Sequence, residues 1–213
     1  MEKRRGFLLV LSAPSGAGKT SLTKRLLSIC PEMRYSISYS TRPRRDHEIN
    51  GVDYHFVSKE SFMERVAAGQ FVEWAEVHGN LYGTARLFLE QAVAGGHDCI
   101  LDIDVQGAAQ IRTEMKKDGV FVFVLPPSWA VLNERLRRRG SDSPAEIERR
   151  LDGARREVER YGEYDYVIIN DDLDHATRIL HAIITAERAR AWRFERSPAR
   201  EMFGAEAAAA GMP

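Results

Sequence analysis

Two glycines, a lysine and a threonine stand close together near the start of the chain, in the segment SAPSGAGKTS at residues 12–21. An apolar run precedes this segment and a helical pattern follows it. In such a unit, backbone N–H groups and the positive end of the helix dipole point at a bound phosphate. Lys19 is predicted to reach the β- and γ-phosphates of a nucleotide, and Thr20 to place its hydroxyl on Mg²⁺. The segment therefore predicts a nucleotide phosphate site, although by itself it does not indicate the reaction.

This predicted loop departs from the strict pattern Gly-x4-Gly-Lys-Ser/Thr at one position, where Ala13 replaces the first glycine. Alanine is tolerated there at little cost unless the backbone needs a positive φ. A plain strand–turn–helix with an exposed lysine is the alternative interpretation. The occurrence of Gly16, Gly18, Lys19 and Thr20 together, between a strand and a helix, favours the phosphate loop.

Arginines and hydroxyl groups are mixed in a second cluster, SYSTRPRR at residues 38–45, which is followed by EINGVDY at residues 48–54. A guanidinium presents a planar fork of donors, and serine or tyrosine hydroxyls add neutral donors, so the cluster suits a phosphate monoester. On its own, the cluster is also compatible with a solvated basic turn.

Glu73 is a carboxylate among bulky apolar residues, in the segment FVEWAE at residues 71–76. A carboxylate can accept two hydrogen bonds from N1–H and the 2-amino group of guanine, and adenine lacks this donor pair. Taken singly, Glu73 also fits a surface position on a strand. The segment NLYGT at residues 80–84 adds the hydroxyl groups of Tyr82 and Thr84 beside a turn signal.

Asp102 and Asp104 end an apolar run that is predicted to be a core strand. Open α/β sheets bind ligands at the carboxyl ends of their strands, and alternation places both carboxylates on one side. Oxygen ligands suit Mg²⁺, so Asp102 is predicted to join Thr20 near the metal, through water. For either aspartate the alternative is a carboxylate that caps the following helix.

The elements that position these residues follow a βα alternation. Short apolar runs at 7–12, 99–103, 120–125 and 166–169 are separated by helical segments such as 19–29. This order predicts an α/β fold of the P-loop NTPase type, with a parallel sheet and helices on both faces. The stretch 35–82 differs, because it holds short β-rich pieces at 35–39, 54–57 and 71–77 and one helix near 59–68.

The middle stretch therefore reads as an antiparallel β-rich insert, and residues 128–161 read as two helices with a break at 140–144. A last amphipathic helix is predicted over 175–194, and the Ala-rich tail is predicted to be disordered. The predicted division is a core of 1–34, 96–127 and 163–196, an insert of 35–95, a helical lid of 128–162, and a tail of 197–213.

Composition and charge limit the kinds of partner and compartment that we expect for this protein. The chain has 31 basic and 31 acidic residues and a formal net charge of zero, which gives no indication of nucleic acid or an anionic membrane as a partner. Two cysteines, Cys30 and Cys99, do not make a disulfide framework and fit a reducing compartment. No run approaches the roughly 20 apolar residues of a membrane helix. We therefore expect a cytoplasmic protein, and a homo-oligomer is left open.

Seven motifs occur in order and without large gaps between about residue 6 and residue 190: APSGAGKT, STRPRR, NGVDY, FVEWA, YGT, ILDIDVQG and VIINDDL. Together they resemble the successive motifs of guanylate kinases, most closely the bacterial ones. The resemblance implies an enzyme that transfers the γ-phosphate of ATP to GMP, and also to dGMP, with Mg²⁺, in guanine nucleotide recycling. It also implies the three-part organisation of core, insert and mobile lid.

The resemblance implies binding and catalytic roles for the residues of this sequence that match the family motifs. The implied ATP-binding residues are Ala13, Pro14, Ser15, Gly16, Ala17, Gly18, Lys19, Thr20, Ser21 and, beside the adenine, Asn170. The implied GMP-binding residues are Ser38, Arg42, Arg45, Tyr54 and Tyr82 for the phosphate, and Glu73, Thr84 and Asp104 for the base. The implied catalytic residues are Lys19, Arg42 and the lid arginines Arg139 and Arg150. Arg44 is assigned no contact with a substrate, and Leu81 occupies a position where the family often has a second aromatic residue.

Two alternative functions remain for test. Guanylate-kinase-like domains of scaffold proteins bind peptides and typically lose the loop lysine and neighbouring glycines, whereas this chain keeps Gly16, Gly18 and Lys19. A kinase for another acceptor would lack an insert that reads guanine, and Glu73 and Thr84 argue against it. No general base is nominated, because the attacking phosphate oxygen of GMP is already ionised at neutral pH.

Overall fold

The computed structural model describes residues 4–77, 79–138 and 143–194. Its strands are β1 (Leu8–Ser12), β2 (Arg34–Tyr35), β3 (Tyr39–Ser40), β4 (His55–Phe56), β5 (Phe71–Val77), β6 (Asn80–Ala85), β7 (Cys99–Asp102), β8 (Gly119–Leu125) and β9 (Tyr166–Ile169). Its α-helices are α1 (Lys19–Ile29), α2 (Lys59–Ala67), α3 (Arg86–Ala94), α4 (Val105–Glu114), α5 (Trp129–Arg138), α6 (Pro144–Val158) and α7 (Leu173–Arg188). Short 3₁₀ helices cover Glu159–Glu163 and Ala191–Arg193.

The main sheet is parallel and has five strands in the order β2-β7-β1-β8-β9. Its central strand β1 is apolar except for Ser12 and fully buried, because helices cover both faces of the sheet. Leu9 and Leu11 face a cluster with α1 and α7, while Leu8 and Val10 face a cluster with α3 and α4. The predicted α/β fold with helices on both faces is confirmed, and this arrangement brings the ends of β1 and β7 together at one edge.

The second sheet has four strands in the order β4-β3-β6-β5, with helix α2 packed on it through Phe62. It is not wholly antiparallel as expected, since β3 and β4 run parallel. The predicted piece 35–39 is two strands, β2 in the main sheet and β3 in the second sheet. Strand β6 was interpreted only as residues beside a turn. A local pattern does not reveal which partner a two-residue strand will find, so these differences arise from tertiary pairing.

Within the predicted insert 35–95, two elements pack with the main sheet. Strand β2 pairs with β7, and α3 contributes Leu89, Ala92 and Val93 to a buried cluster of the main sheet. The chain thus leaves the main sheet after β2 and returns to it with α3. The division of the chain into core, insert and lid stays a prediction.

Helices α5 and α6 form a unit with its own small core of Leu132, Leu136, Ile147, Leu151 and Ala154. Ser143 caps α6 by accepting a hydrogen bond from the Glu146 N–H, and Pro144 starts the helix. The predicted lid residue Arg139 and the predicted disordered tail 197–213 lie outside the described residues. Among the residues that the structure describes, no helix is long and apolar enough to span a membrane.

Candidate active site

The loop between β1 and α1 has the backbone of a phosphate site. Gly16 and Gly18 have φ angles of 95° and 94°, a conformation that glycine adopts without the penalty of a Cβ. Gly18 is the N-cap of α1, with no side-chain cap and no acidic residue in the first turn. The backbone N–H groups that begin α1 are therefore available to an anion. Thr20 and Ser21 are exposed at this helix start.

Lys19 is held against the end of the neighbouring strand β7. Its Nζ lies 2.7 Å from Oδ1 of Asp102 and donates a hydrogen bond of 2.8 Å to the carbonyl oxygen of Ile103. Both side chains of the ion pair are mostly buried, so the ammonium is fixed beside the loop. Lys19 and Asp102 are thus brought to one place, as the sequence predicted, and Thr20 follows Lys19 in the first turn of α1. Within the described ranges, no cluster of three or more His, Cys, Asp or Glu residues forms a metal site.

Asn170, at the end of β9, supports the same loop from behind. It is buried and donates a hydrogen bond of 2.8 Å from Nδ2 to the carbonyl oxygen of Ala17. A Cβ on Gly18 would lie 2.3 Å from that nitrogen, so this glycine permits a close approach as well as a positive φ. Arg135 of α5 donates to the carbonyl oxygens of Ala17 at 3.2 Å and Asn170 at 3.1 Å. The sequence had given no role to Arg135.

A cavity of about 370 Å³ opens beside this part of the loop. It is lined by Gly16, Gly18, Ser21, Arg135, Arg138, Asn170, Asp171 and Leu173. This cavity is large enough for the non-phosphate part of a nucleotide, and its lining residues Gly16 and Gly18 belong to the phosphate loop.

The helices α5 and α6 also contact the front of the loop. A Cβ built on Gly16 would lie 3.0 to 3.2 Å from side-chain atoms of Leu132 and Leu136. Arg150 of α6 places Nη1 3.4 Å from Oγ of Ser15 and forms an ion pair with Glu146 at 3.7 Å. The structure therefore brings Arg150 to the phosphate loop.

Glu157 is a further residue at this site that the sequence analysis missed. It lies two turns after Arg150, on the same face of α6. Burial raises its pKa to about 7; Lys19 opposes the shift, and Asp104 adds to it. A carboxylate of α6 thus lies within electrostatic reach of the loop lysine. The spacing of seven residues from Arg150 was the signal that could have identified it.

A second cationic site is centred on Arg42, which follows β3. Its Nη1 and Nη2 donate to Oε2 and Oε1 of Glu48 at 2.8 and 2.5 Å. The guanidinium also stacks over the rings of Tyr54 and Phe56, with distances of 5.0 and 5.3 Å to their centroids. The hydrogen bond to Arg42 is the main reason why the pKa of Glu48 falls to about 2, and the same contact raises the pKa of Arg42. Arg42 is therefore fixed in one orientation.

Glu48 organises the rest of the arginine loop. Its Oε2 accepts a hydrogen bond of 2.8 Å from the backbone N–H of Arg45, and its carbonyl oxygen accepts one from the guanidinium of Arg44. Arg44, which had no predicted contact, closes the loop in this way. The side chain of Arg45 is exposed. Glu48 lies in the segment EINGVDY, but no role was predicted for it; an acid six residues after Arg42 was the available signal.

Aromatic hydroxyls lie beside Arg42, as predicted. The rings of Tyr54 and Tyr82 meet edge to face, with centroids 5.9 Å apart. Ser38 is half-buried next to them, and its carbonyl oxygen accepts a hydrogen bond from the His55 N–H at 2.9 Å. Burial raises the pKa of Tyr54, and the negative charge of Asp102 raises it further. Tyr54 therefore lies within electrostatic reach of the carboxylate that forms the ion pair with Lys19. The two cationic sites are therefore neighbours.

Glu73 and Thr84 lie opposite each other on β5 and β6. Both are buried, and Oγ1 of Thr84 donates to Oε1 of Glu73 at 2.5 Å. Burial raises the pKa of Glu73 to about 7, the hydrogen bond from Thr84 opposes this, and Asp104 adds to it. Such a carboxylate is primed to accept donors from a ligand that would complete its hydrogen bonds.

Asp104 has the role that was kept as the alternative, since it caps α4. Its Oδ1 accepts a hydrogen bond of 2.8 Å from the Gly107 N–H, and its Oδ2 accepts one of 3.1 Å from Nε2 of Gln106. It remains near Glu73 and Glu157, whose pKa values it raises. The cap therefore keeps Asp104 within electrostatic reach of the buried Glu73 and of Glu157.

Comparisons with known proteins find relatives that match most of this chain. The guanylate kinase family profile matches residues 5–187. A guanylate kinase of Syntrophotalea carbinolica is 54% identical over 201 residues, covering 94% of this chain and 95% of the relative. A guanylate kinase of Chelativorans sp. is 52% identical over 201 residues, with coverage of 94% and 91%.

Solved structures extend the likeness to three dimensions. The crystal structure of a guanylate kinase from Anaplasma phagocytophilum has a TM-score of 0.78 at 35% identity and covers 96% of both chains. A shikimate kinase from Bacteroides thetaiotaomicron has a TM-score of 0.52 at 20% identity, covering 84% of this chain and 98% of that one. The second likeness concerns the fold alone.

Proposed function

This chain belongs to the guanylate kinase family, and from that premise we propose that it transfers the γ-phosphate of ATP to GMP and to dGMP. One observation carries the assignment of the two sites. Asp102 forms the ion pair with Lys19 and also acts on Tyr54, over which Arg42 is stacked. A phosphate at the loop and a phosphate at Arg42 would therefore be neighbours.

The donor side of the site is built from the loop and its surroundings. We assign the triphosphate to the N–H groups of residues 13–21 and to Lys19, and the adenine to the cavity beside Asn170. Asp102 and the hydroxyl of Thr20 offer the hard oxygen ligands that Mg²⁺ prefers, so this donor set fits the metal. When bound there, Mg²⁺ would neutralise phosphate charge.

The acceptor side is built from the second sheet. We assign the phosphate of GMP to Arg42, Arg45, Tyr54 and Tyr82, with Ser38 beside them. Transfer through a loose transition state needs alignment, charge neutralisation and exclusion of water rather than a base. Lys19, Arg42 and Arg150 would share the charge of the transferred group. Arg139, outside the described residues, is proposed to join them.

Recognition of the base is assigned to Glu73 and Thr84, with Asp104 nearby. The N1–H and 2-amino groups of guanine would give the buried carboxylate the donors that favour its charged form. Adenine would leave that charge unpaired, which penalises the wrong substrate heavily. None of the assigned residues addresses the 2′-hydroxyl of the sugar, and for that reason we include dGMP as an acceptor.

The cellular setting is proposed from the same features. Cys30 and Cys99 are buried free thiols, which suits the cytoplasm. Conversion of GMP to GDP returns a monophosphate to the pool from which triphosphates are made. We therefore place the reaction in guanine nucleotide recycling.

A coupled assay with ATP and Mg²⁺ tests the proposal by comparing GMP, dGMP, AMP and UMP. We expect the kcat/KM ratio of GMP to AMP to be about 10⁴ or more, as for sites built to pair with specific donors. Glu73→Gln should collapse this ratio, because the amide cannot accept both guanine hydrogen bonds.

Thr113→Val is a matched control on α4, since Thr113 is exposed and its hydroxyl donates within the same helix, to the Ala109 carbonyl oxygen at 3.1 Å. It should leave the ratio unchanged. Absence of Mg-ATP binding at millimolar nucleotide would favour the scaffold alternative, and equal rates with GMP and AMP would exclude guanine recognition.

A further inference from the structure

Helix α4 packs beside the edge strand β5 and provides hydrogen-bond partners for its backbone. The side chain of Gln110 donates from Nε2 to the Trp74 carbonyl oxygen at 2.8 Å, and its Oε1 accepts from the Trp74 N–H at 3.1 Å. Backbone groups on the open side of an edge strand need partners, and one glutamine supplies both here. The strand position next to Glu73 is therefore tied to α4.

Gly107 lies three residues before Gln110, on the same face of α4. It is buried, and a Cβ built on it would lie 2.5 Å from Oε2 and 3.0 Å from Cδ of Glu73. The other carboxylate oxygen of Glu73 is held by Thr84. The observed position of the carboxylate thus requires that residue 107 has no side chain.

The backbone of Gly107 does not explain the glycine. The residue lies inside the first turn of α4, where its N–H donates to the capping Asp104. In a helix interior, glycine is less favourable than alanine by about 1 kcal/mol. The close approach of Glu73 is the feature that alanine would remove.

Glu73 would be the group to give way. The atom nearest to the built Cβ is the tip of a flexible side chain, whereas neither strand β5 nor helix α4 has to move for the clash to be relieved. A side chain at position 107 would therefore leave the fold intact and displace the carboxylate. A displacement of about 1 Å is enough to weaken a recognition contact strongly.

We propose that Gly107 is a positioning residue for base recognition, because its missing side chain gives the Glu73 carboxylate its place beside α4. This inference rests on the proposed function only in taking Glu73 as the residue that reads the base. Gly107 itself makes no contact assigned to the substrate.

Gly107→Ala tests the proposal through the separate kinetic constants. We expect the KM for GMP to rise about 10- to 100-fold, the range for weakened hydrogen bonds to a charged group. The preference for GMP over AMP should fall, and the KM for ATP should stay unchanged. Gly153→Ala is the matched control, since it is a glycine inside α6 with nothing within 4 Å of its built Cβ. It should change neither KM.

A double variant separates displacement of Glu73 from any other effect. Glu73→Asp shortens the side chain by one methylene and withdraws it from position 107. The added effect of Gly107→Ala should therefore be much smaller in the Glu73→Asp background than in the wild type. If Gly107→Ala lowers Tm, Glu73→Asp should restore it, because the same clash would be the cause.

An unchanged GMP KM in Gly107→Ala overturns the inference, and so does a Tm loss or a KM increase that is fully additive with Glu73→Asp. The preference of the wild-type enzyme for GMP over AMP tests the proposed function independently. If the wild type does not prefer GMP to AMP, the proposed function fails. If the wild type and Gly107→Ala share the same preference, only the role of Gly107 fails.

Discussion

The two cationic sites are built in different ways. The loop site is formed by contiguous residues, and its donors are backbone N–H groups placed by Gly16 and Gly18 and by the start of α1. The site around Arg42 is formed by side chains from separate strands and a loop, and it depends on the buried carboxylate of Glu48. A backbone site tolerates changes of neighbouring side chains, whereas a side-chain site depends on each partner.

Lys19→Met should produce the largest effect on the loop site. It removes the ammonium group that is held beside Asp102, while leaving the backbone N–H groups of the loop in place. We expect kcat to fall about 10²- to 10³-fold, as when a donor to developing charge is lost. The KM for GMP should change little. Steady-state assays with both substrates varied measure this.

Lys24→Met is the control for that change, because Lys24 is exposed on the same helix. It should leave kcat unchanged. Equal losses in the two variants would show that the effect of Lys19 arises from general charge and not from its place beside Asp102.

Glu48→Gln should have the next largest effect, and on the other site. Loss of the carboxylate frees Arg42 and the arginine loop, so we expect the KM for GMP to rise about 10- to 100-fold. The free energy of unfolding at pH 7 should fall by about 1 to 3 kcal/mol, as for a hydrogen-bonded charged pair. Urea unfolding and assays at varied GMP test both. An unchanged KM would place Glu48 outside the acceptor site.

The same variant has a characteristic pH dependence. Because the pKa of Glu48 is depressed to about 2, its contribution to stability is present above the usual pKa of about 4.5 and is lost as the pH falls through 2. The difference in unfolding free energy between wild type and Glu48→Gln should shrink over that range. A difference that is constant between pH 5 and pH 2 would contradict the ion pair.

The smallest expected effect is the titration of Glu73. Its pKa of about 7 means that it is increasingly protonated in the free enzyme below pH 7, so GMP must then drive off a proton. The KM for GMP should rise by up to about tenfold per pH unit below 7. Burial of this acid also makes stability decrease as the pH rises from about 4.5 to 7.

GMP titrates near pH 6 through its own phosphate, so the profile needs a reference. Glu73→Gln retains the titration of the substrate and lacks that of the carboxylate. The difference between the two profiles should therefore contain the Glu73 step. The KM for ATP should not show this titration step. Superimposable profiles would mean that Glu73 does not contact the base.

The sequence predicted the loop well, because residues 13–21 are contiguous between a buried strand and a helix. Lys19 and Asp102 were expected together and are found together. Arg135 and Glu157 were missed, since their helices carry many charged residues and only tertiary contacts distinguish these two. Periodicity indicates which face of a helix is apolar but does not show what its polar face meets.

The second sheet was harder to predict for a physical reason. Its strands β3 and β4 have two residues each, too few to show alternation. Strand β6 follows the turn signal Gly79-Asn80 and was therefore interpreted only as residues beside a turn; it contains Gly83. In the structure a Cβ at Gly83 would lie 3.0 to 3.1 Å from atoms of Phe62 and Phe71, so this glycine makes room for aromatic packing. The resemblance to a family supplied the grouping that local patterns could not.

The path of the chain between the two sheets has a mechanical consequence. The chain passes from the main sheet to the second sheet through residues 36–38 and returns where β6 ends and α3 begins. Two such crossings allow the second sheet to rotate on the main sheet as a hinged body. Glu73 lies on β5, the edge of the second sheet that Gln110 ties to α4, whereas Arg42 and Arg45 lie in the loop that joins β3 to β4 at the opposite edge. We therefore expect one swing to carry the arginines through an arc while the base-reading pair stays seated against α4.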